Sequence, residues 1–377
     1  MTRRLAGLSL LPATAVTAGA ATHALSFEAA LLLGAFGLLI LVPFMPGLIE
    51  IWRPRDRYPL PVDMDYVKDP RHLGRSARAL LAVALRGDQG PAGRRTVTLS
   101  KVEAVEVHDR LDVSAGANLS AIQLARGPMV VGERATCDRD LYARAGARIG
   151  EGAVLRSLAC DGRAALGRGV SIARWLDVEG DVHVGPQSHL GASAAAAGFL
   201  ELADGVTFER LWGSPVRTTG YRGPRELPPA PAPFALPDVL EIRDLEDLAS
   251  LHRGDLVVGP GETFDRPLVV RGDLRIETDA VVDRTVKVYG DLTLAPGALL
   301  LGDAFVEGSV FVGEGAAVRG CIFSQDSVEL GRGARVGAPG LVKSVVGKRS
   351  VTLAGDVAIH GYVLTDGRGC VICRGSD

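Results

Sequence analysis

A six-residue repeat runs through most of the chain after residue 100, and it restricts the possible folds more than any other feature. Small or apolar residues recur every six positions, and each is followed two positions later by another, over residues 105–190 and again over 256–365. Alternate residues of a strand point to the same side. The pattern therefore predicts an all-β fold, a parallel three-faced β-helix (β-solenoid), and an amphipathic helix of period 3.6 does not fit it.

The second stretch also gives the length of one coil. Its Gly-Asp or similar corners return every 18 residues, so three six-residue faces make one coil. Like residues then stack on like residues in successive coils. The predicted solenoid core comprises Leu256, Leu274, Leu292, Val310, Val328, Ile276, Leu294, Val312 and Leu330.

The composition agrees with thin coils filled by aliphatic side chains. Hydrophobic residues make up 47% of the 377 residues but aromatic residues only 5%, and 47 glycines are available for corners. A net charge of −2 gives no electrostatic case for nucleic-acid binding. The five cysteines form no disulfide framework and are typical of small core residues in a reducing compartment.

An apolar segment over residues 28–51 predicts attachment to a lipid bilayer. It has no charge between Glu28 and Glu50, which is enough for a transmembrane helix within residues 25–52. Pro43 and Pro46 would kink its second half, so a re-entrant or buried helix is the alternative. Basic residues follow the segment, and the positive-inside rule then places the solenoid in the cytoplasm of a single-pass inner-membrane protein.

The rest of the chain divides around these features. Residues 1–24 resemble a cleaved signal peptide, with a first membrane segment as the alternative. Residues 53–95 form a basic linker with a helix from Asp69–Pro70 to about Arg86. A first solenoid array over 96–220, a Pro-rich spacer with a short helix over 221–253 and a second array over 254–377 complete the chain.

The basic linker is predicted to lie on anionic lipid headgroups. The arginines that would contact the membrane surface are Arg53, Arg55, Arg57, Arg71, Arg75 and Arg78. The alternative is that the helix packs on the first solenoid coil.

Convergent catalytic groups are not evident in the sequence, and we expect no catalytic residue, no cofactor and no metal. His183 and His189 lie one repeat apart but lack a third ligand. Cys370 and Cys373 form a lone C-x-x-C, which is a weak candidate for a metal site because structural zinc usually takes four ligands. Glycine often follows the second inward residue, as in Ile149-Gly and Leu330-Gly, and this resembles the hexapeptide repeat of left-handed β-helix acyltransferases. Such an enzyme is the alternative function.

Another resemblance covers more of the layout. Val306-Glu-Gly-Ser-Val310 and Val318-Arg-Gly-Cys-Ile322 are similar to the V-x-G-x-I coils of bactofilins, bacterial polymer-forming cytoskeletal proteins, over about residues 254–372 and more weakly over 97–190. The resemblance implies a right-handed solenoid and a membrane-anchored scaffold that organises the cell shape or envelope. Typical bactofilins have one array, whereas this chain has two.

The end of the solenoid predicts a partner. An end coil exposes unpaired strand edges, and no polar capping helix follows Cys370 in the sequence. The C-terminal end should therefore stack on another copy of the chain or on the first array, and we expect another copy.

Overall fold

The computed structural model describes residues 27–45, 47, 49, 69–85, 93–99, 103–224, 228 and 249–373. These residues belong to two compact units, Met1–Lys68 and Asp69–Asp377. The predicted signal segment 1–24 lies outside the described residues.

In the first unit, helix α1 spans Phe27–Leu41 and is followed by a 3-10 turn over Val42–Phe44. The α-helix is thus shorter than the predicted 25–52, and it ends just ahead of Pro43, whose ring and missing N–H oppose an α-helical continuation. Residues 45, 47 and 49 are again helical. Within the described ranges, no helix combines the length and the apolar character needed to cross a bilayer.

Among its described residues, the second unit contains helix α2 over His72–Leu85 and 34 strands. The first array comprises β1 Arg95–Thr98, β2 Ala104–His108, β3 Leu111–Val113, β4 Asn118–Leu119, β5 Ile122–Ala125, β6 Met129–Val131, β7 Thr136–Ala143, β8 Ala147–Ile149, β9 Val154–Cys160, β10 Ala164–Leu166, β11 Ser171–Val178, β12 Val182–Val184, β13 His189–Leu190, β14 Ser193–Ala196, β15 Leu200–Leu202 and β16 Thr207–Thr218. The second array comprises β17 Ser250–His252, β18 Leu256–Val258, β19 Thr263–Phe264, β20 Leu268–Val270, β21 Leu274–Ile276, β22 Val281–Val282, β23 Val286–Val288, β24 Leu292–Leu294, β25 Leu299–Leu300, β26 Ala304–Val306, β27 Val310–Val312, β28 Ala317–Val318, β29 Ile322–Ser324, β30 Ser327–Leu330, β31 Arg335–Val336, β32 Lys343–Gly347, β33 Ser350–Leu353 and β34 Ala358–Val371.

The strands stack into three parallel faces, which confirms the predicted β-solenoid. Face 1 begins with β2 and β5 and contains β20, β23 and β26 in the second array. Face 2 begins with β3 and β6 and contains β19 and β22. Face 3 begins with β4 and β7 and contains β18 and β21. Leu256 pairs with Leu274, and Leu274 with Leu292, so one coil has 18 residues as predicted.

The repeat in the sequence accounts for five or six coils in each array, and the solenoid is longer than this. Face 1 takes one strand from each coil, and following its pairing gives about seven coils in each array, or about 14 in total. One of the additional coils starts at β17, so Ser250–His252 is a strand rather than part of the predicted short helix. The remainder of that predicted helix, residues 238–248, lies outside the described residues, as do most prolines of the spacer.

The core is a continuous apolar column inside the coils. All of the predicted core residues except Leu256 are buried, and Leu256, in the outermost coil, is partly buried and packs against them. At the start of the first array, the alternation of inward and outward residues is shifted. Val105 and Val107 lie with Leu124 in a hydrophobic cluster that is separate from the core. The repeat had predicted both valines to point inward, and instead Glu106 and His108 take the inward register, in line with Gln123 and Ala125.

The two arrays share one stack, and they meet through their C-terminal coils. Strand β16 pairs antiparallel with β34 on all three faces, with Trp212 opposite Tyr362 on face 1, Val216 opposite Ile359 on face 2 and Thr207 opposite Cys370 on face 3. We call this contact the array junction. The expectation that a second copy occupies the C-terminal end is therefore wrong, because the first array of the same chain already covers it.

This arrangement places the start of the second array at the far end of the stack. The chain leaves β16 at the array junction, and its next described residues lie along face 2, where Arg335 donates to the carbonyl of Gly223 and Arg319 donates to the carbonyl of Pro228. With strands about 4.8 Å apart, 14 coils give a stack of about 65 Å.

Candidate functional site

Helix α2 covers face 1 of the first array. Its start is fixed by Asp69, whose carboxylate accepts the backbone N–H of Arg71 at 3.0 Å. Leu81 is buried with Leu124, Tyr142, Trp175 and other outward residues of face 1 in a second hydrophobic cluster. These outward positions are apolar because the helix, rather than water, covers them.

A buried charge cluster fixes α2 to the solenoid. Arg71 donates from Nη2 to Oδ1 of Asp177 at 2.8 Å, from Nε to Oδ2 at 3.2 Å and from Nη1 to Glu179 at 2.7 Å. Arg78 donates to Asp161 at 2.8 Å and also pairs with Asp177. The side chains of Arg71 and Asp177 are each only 3% exposed. Burial of this charge is tolerated because each charge has several partners.

The pKa values within the cluster follow from these contacts. Burial lowers the pKa of Arg71, but hydrogen bonds with Glu179 and Asp177 outweigh it and raise the pKa above its ordinary value. The hydrogen bond with Arg71 lowers the pKa of Glu179. Burial, and then a hydrogen bond of 2.6 Å to Asp161, raise the pKa of Tyr142 to about 12. Arg71 and Glu179 therefore keep their charges throughout the neutral pH range.

The placement of α2 decides between the two alternatives for its arginines. Arg71 and Arg78 contact carboxylates on or just after β9 and β11, so the helix packs on the solenoid but with these contacts at later coils than the first, and neither is available to lipid headgroups in this conformation. Arg75 is 60% exposed and pairs with Asp69. Arg53, Arg55 and Arg57 lie outside the described residues.

The array junction is closed by an aromatic side chain and by backbone pairing. Phe208 is fully buried, and its ring lies against Gly369 so closely that a Cβ there would be 2.2 Å from Cε2. The hydroxyl of Thr218 donates to the carbonyl of Ala354 at 2.7 Å and accepts the N–H of Val357 at 2.9 Å. These contacts join residues that are more than 130 positions apart in the sequence.

Two polar side chains, Arg335 and His360, are buried beside the junction. Arg335 pairs with Asp356 at 2.8 Å and lies over the ring of Tyr221. His360 is buried, and desolvation together with the charge of Arg335 lowers its pKa. The junction therefore favours a neutral imidazole.

The weak metal candidates do not come together with other ligands. Cys370 lies on face 3 with its Sγ 3.7 Å from the hydroxyl of Thr352, and the backbone N–H of Cys373 donates to Asp204 at 2.7 Å. In the part of the chain that the structure describes, no group of three or more His, Cys, Asp or Glu side chains is placed to hold a metal ion.

The two outer ends of the stack have opposite character. At the end of the first array, Gln123 contacts His108 at 2.8 Å and Glu106 at 3.2 Å, and β1 pairs antiparallel with β2. At the end of the second array, the inward residues include Leu256, Val258 and Phe264, which belong to or pack against the main core. We call this second end, formed by β17, β18 and β19, the distal end.

Sequence reasoning missed Asp161, Asp177 and Glu179, because acidic residues at outward positions read as a solvated surface. The sequence held one signal for these residues. Arg71 and Arg78 are spaced to lie on the same side of a helix, and a pair of arginines on a packed helix face needs acidic partners elsewhere in the chain. Comparisons with family models, with curated proteins and with solved structures find no match to this chain.

Proposed function

We propose that the chain is a scaffold of a bacterial envelope, without catalytic activity, that associates with itself through the ends of its solenoid. The observation that carries the proposal is the array junction, where two solenoid ends bind each other through antiparallel strands. The end of one array is thus a surface that binds the end of another array. The similarity of the V-x-G-x-I coils to bactofilins, with their right-handed winding, supports the same role.

The proposal includes attachment to the cytoplasmic membrane by residues 28–51, with the solenoid in the cytoplasm. In α1 the large apolar side chains are exposed, including Leu32 at 74% and Leu39 at 72%. Exposed apolar side chains of this density favour a lipid environment over water. The 15 residues of α1 are fewer than the roughly 20 that span a hydrocarbon core, so the anchor needs the residues that follow it.

Self-association is tested on the full chain in detergent by light scattering over a range of concentrations. We expect species larger than one chain to form. A strictly monomeric protein at tens of micromolar would contradict the proposal.

Membrane attachment is tested separately by fractionating expressing cells and washing the membranes with alkaline carbonate. The wild-type chain should remain with the membranes, and Leu32→Arg/Leu39→Arg should be released. Complete release of the wild-type chain would remove the anchor from the proposal while leaving self-association intact.

The alternative function, a hexapeptide acyltransferase, is tested by a different measurement. It requires binding of an acyl donor, and titration calorimetry with acetyl-coenzyme A measures this directly. Saturable binding would favour the enzyme over the scaffold.

A further inference from the structure

Each of the two arrays has an N-terminal coil and a C-terminal coil, and the two C-terminal coils already pair with each other. Strands β16 and β34 cover each other on all three faces at the array junction. Any end-to-end contact with a second copy must therefore use an N-terminal coil.

The N-terminal coil of the first array is poorly suited to such a contact. Its inward positions on β2 hold Glu106 and His108, which contact Gln123 of the next coil, and β1 already pairs with the outer edge of β2. The remaining edge strands present Asp112 and Asn118, both exposed and polar. Polar and charged residues on an edge strand oppose pairing with another chain.

The distal end has the opposite properties. The N–H of Ser250 donates to Pro267 and the carbonyl of His252 accepts from Arg271, so the backbone of Leu251 between them points away from the array. The same alternation turns the backbones of Val257 and Thr263 outward, because their neighbours bond to the next coil.

The side chains at this edge are suited to a dry contact. Leu251 is 51% exposed and Val257 is 57% exposed, and Leu256 and Phe264 behind them are only partly buried. Among the described residues, β17, β18 and β19 each pair with a strand on one side only. An apolar cross-section with three free edges is the kind of surface that the array junction shows to bind its own type.

We propose that the distal end docks on the distal end of a second copy of this chain, and that association stops at two chains. The two surfaces are identical, so the contact is two-fold symmetric and uses up the distal end of both partners. The ends that remain are the polar N-terminal coils of the two first arrays. The result is a closed rod of two chains rather than a filament.

This inference rests on the proposed self-association and limits it. Analytical ultracentrifugation of the full chain in detergent should show the mass rise with concentration and level off at two chains. Negative-stain images should show rods of about 130 Å, twice the length of one stack, because both stacks share an axis. Growth beyond two chains, or a two-chain particle of single-stack length, would overturn the inference and leave self-association standing. A single chain at every concentration would contradict both the two-chain rod and the proposed self-association.

A matched pair of variants locates the contact. Val257→Lys places a charge at the distal end and should raise the dissociation constant by at least about tenfold, because the ammonium group must be desolvated. Val154→Lys changes a valine on face 3 that is 44% exposed and lies inside the first array, and its dissociation constant should equal that of the wild type. Both changes are at exposed positions, so circular dichroism should show the same unfolding temperature. A Val257→Lys protein that associates as tightly as the wild type would refute the distal end as the docking surface.

Discussion

Replacing Gly369 by alanine should open the array junction. The new Cβ would lie 2.2 Å from Cε2 and 2.4 Å from Cδ2 of Phe208. Carbon atoms in contact stand about 3.5 Å apart, so the ring or the strand must move by roughly 1.3 Å. Phe208 is only 2% exposed, and a ring in a filled core cannot rotate away without displacing its neighbours.

Overpacking of this kind costs about 1–3 kcal/mol. If the junction opens locally, the opening equilibrium should rise by about 5- to 150-fold. Native-state hydrogen exchange measured by mass spectrometry should then show faster exchange in β16 and β34, whereas coils in the middle of each array keep the wild-type rates. Nearest-neighbour stacking confines the effect in this way because each coil contacts only the coils beside it.

Gly254→Ala is the matched control, because a Cβ at that glycine meets nothing within 4 Å. It should leave exchange at the junction unchanged. Equal exchange in Gly369→Ala, Gly254→Ala and the wild type would refute the argument that Phe208 and Gly369 close the junction.

Three further changes test other contacts of the second unit. Gly74→Ala places a Cβ 2.2 Å from Cγ of Asp177, so we expect α2 to lift from face 1 and its amide exchange to rise. Arg71→Ala should destabilise the docked helix by about 3 kcal/mol in urea unfolding, because it removes the main partner of a buried carboxylate. His360 has its pKa lowered by burial and by Arg335, so the unfolded chain binds more protons below pH 6.5. The contribution of His360 to the unfolding temperature should therefore stay constant above pH 6.5, and the unfolding temperature should fall as the pH decreases below 6.5.

The controls for these changes come from the same elements. Arg75→Ala removes an exposed ion pair and should cost less than about 1 kcal/mol. A loss as large as that of Arg71→Ala would show that the buried cluster does not fix α2. His360→Gln should flatten the pH dependence, and a decline parallel to that of the wild type would assign the effect to another group.

The solenoid was predictable because its cause is local. Inward residues must be apolar and corners must turn every six residues, so both requirements appear directly in the sequence. The first coil broke the pattern, since Val105 and Val107 have the spacing of inward residues but face α2. The spacing of apolar residues cannot show which side of a strand faces the core when the outer side is also apolar because a helix packs on it.

The array junction was not predictable in the same way. Antiparallel pairing of β16 with β34 depends on backbone groups that all residues except proline carry, so it leaves no signal in the sequence that identifies the partner strand. Phe208 and Gly369 form a complementary pair of a large and a small residue, but 161 positions separate them. The exposed strand edges predicted a partner for the C-terminal end, and that partner is the first array rather than a second copy.

The order of the strands has a consequence for the chain as it leaves the ribosome. Strand β16 ends at Thr218 and β34 ends at Val371, so 153 further residues must be translated after the first array before its partner strand exists. At about 5–20 residues per second this takes roughly 8–30 s. Throughout that interval the nascent protein presents Phe208 and three unpaired edges to chaperones and to neighbouring polysomes.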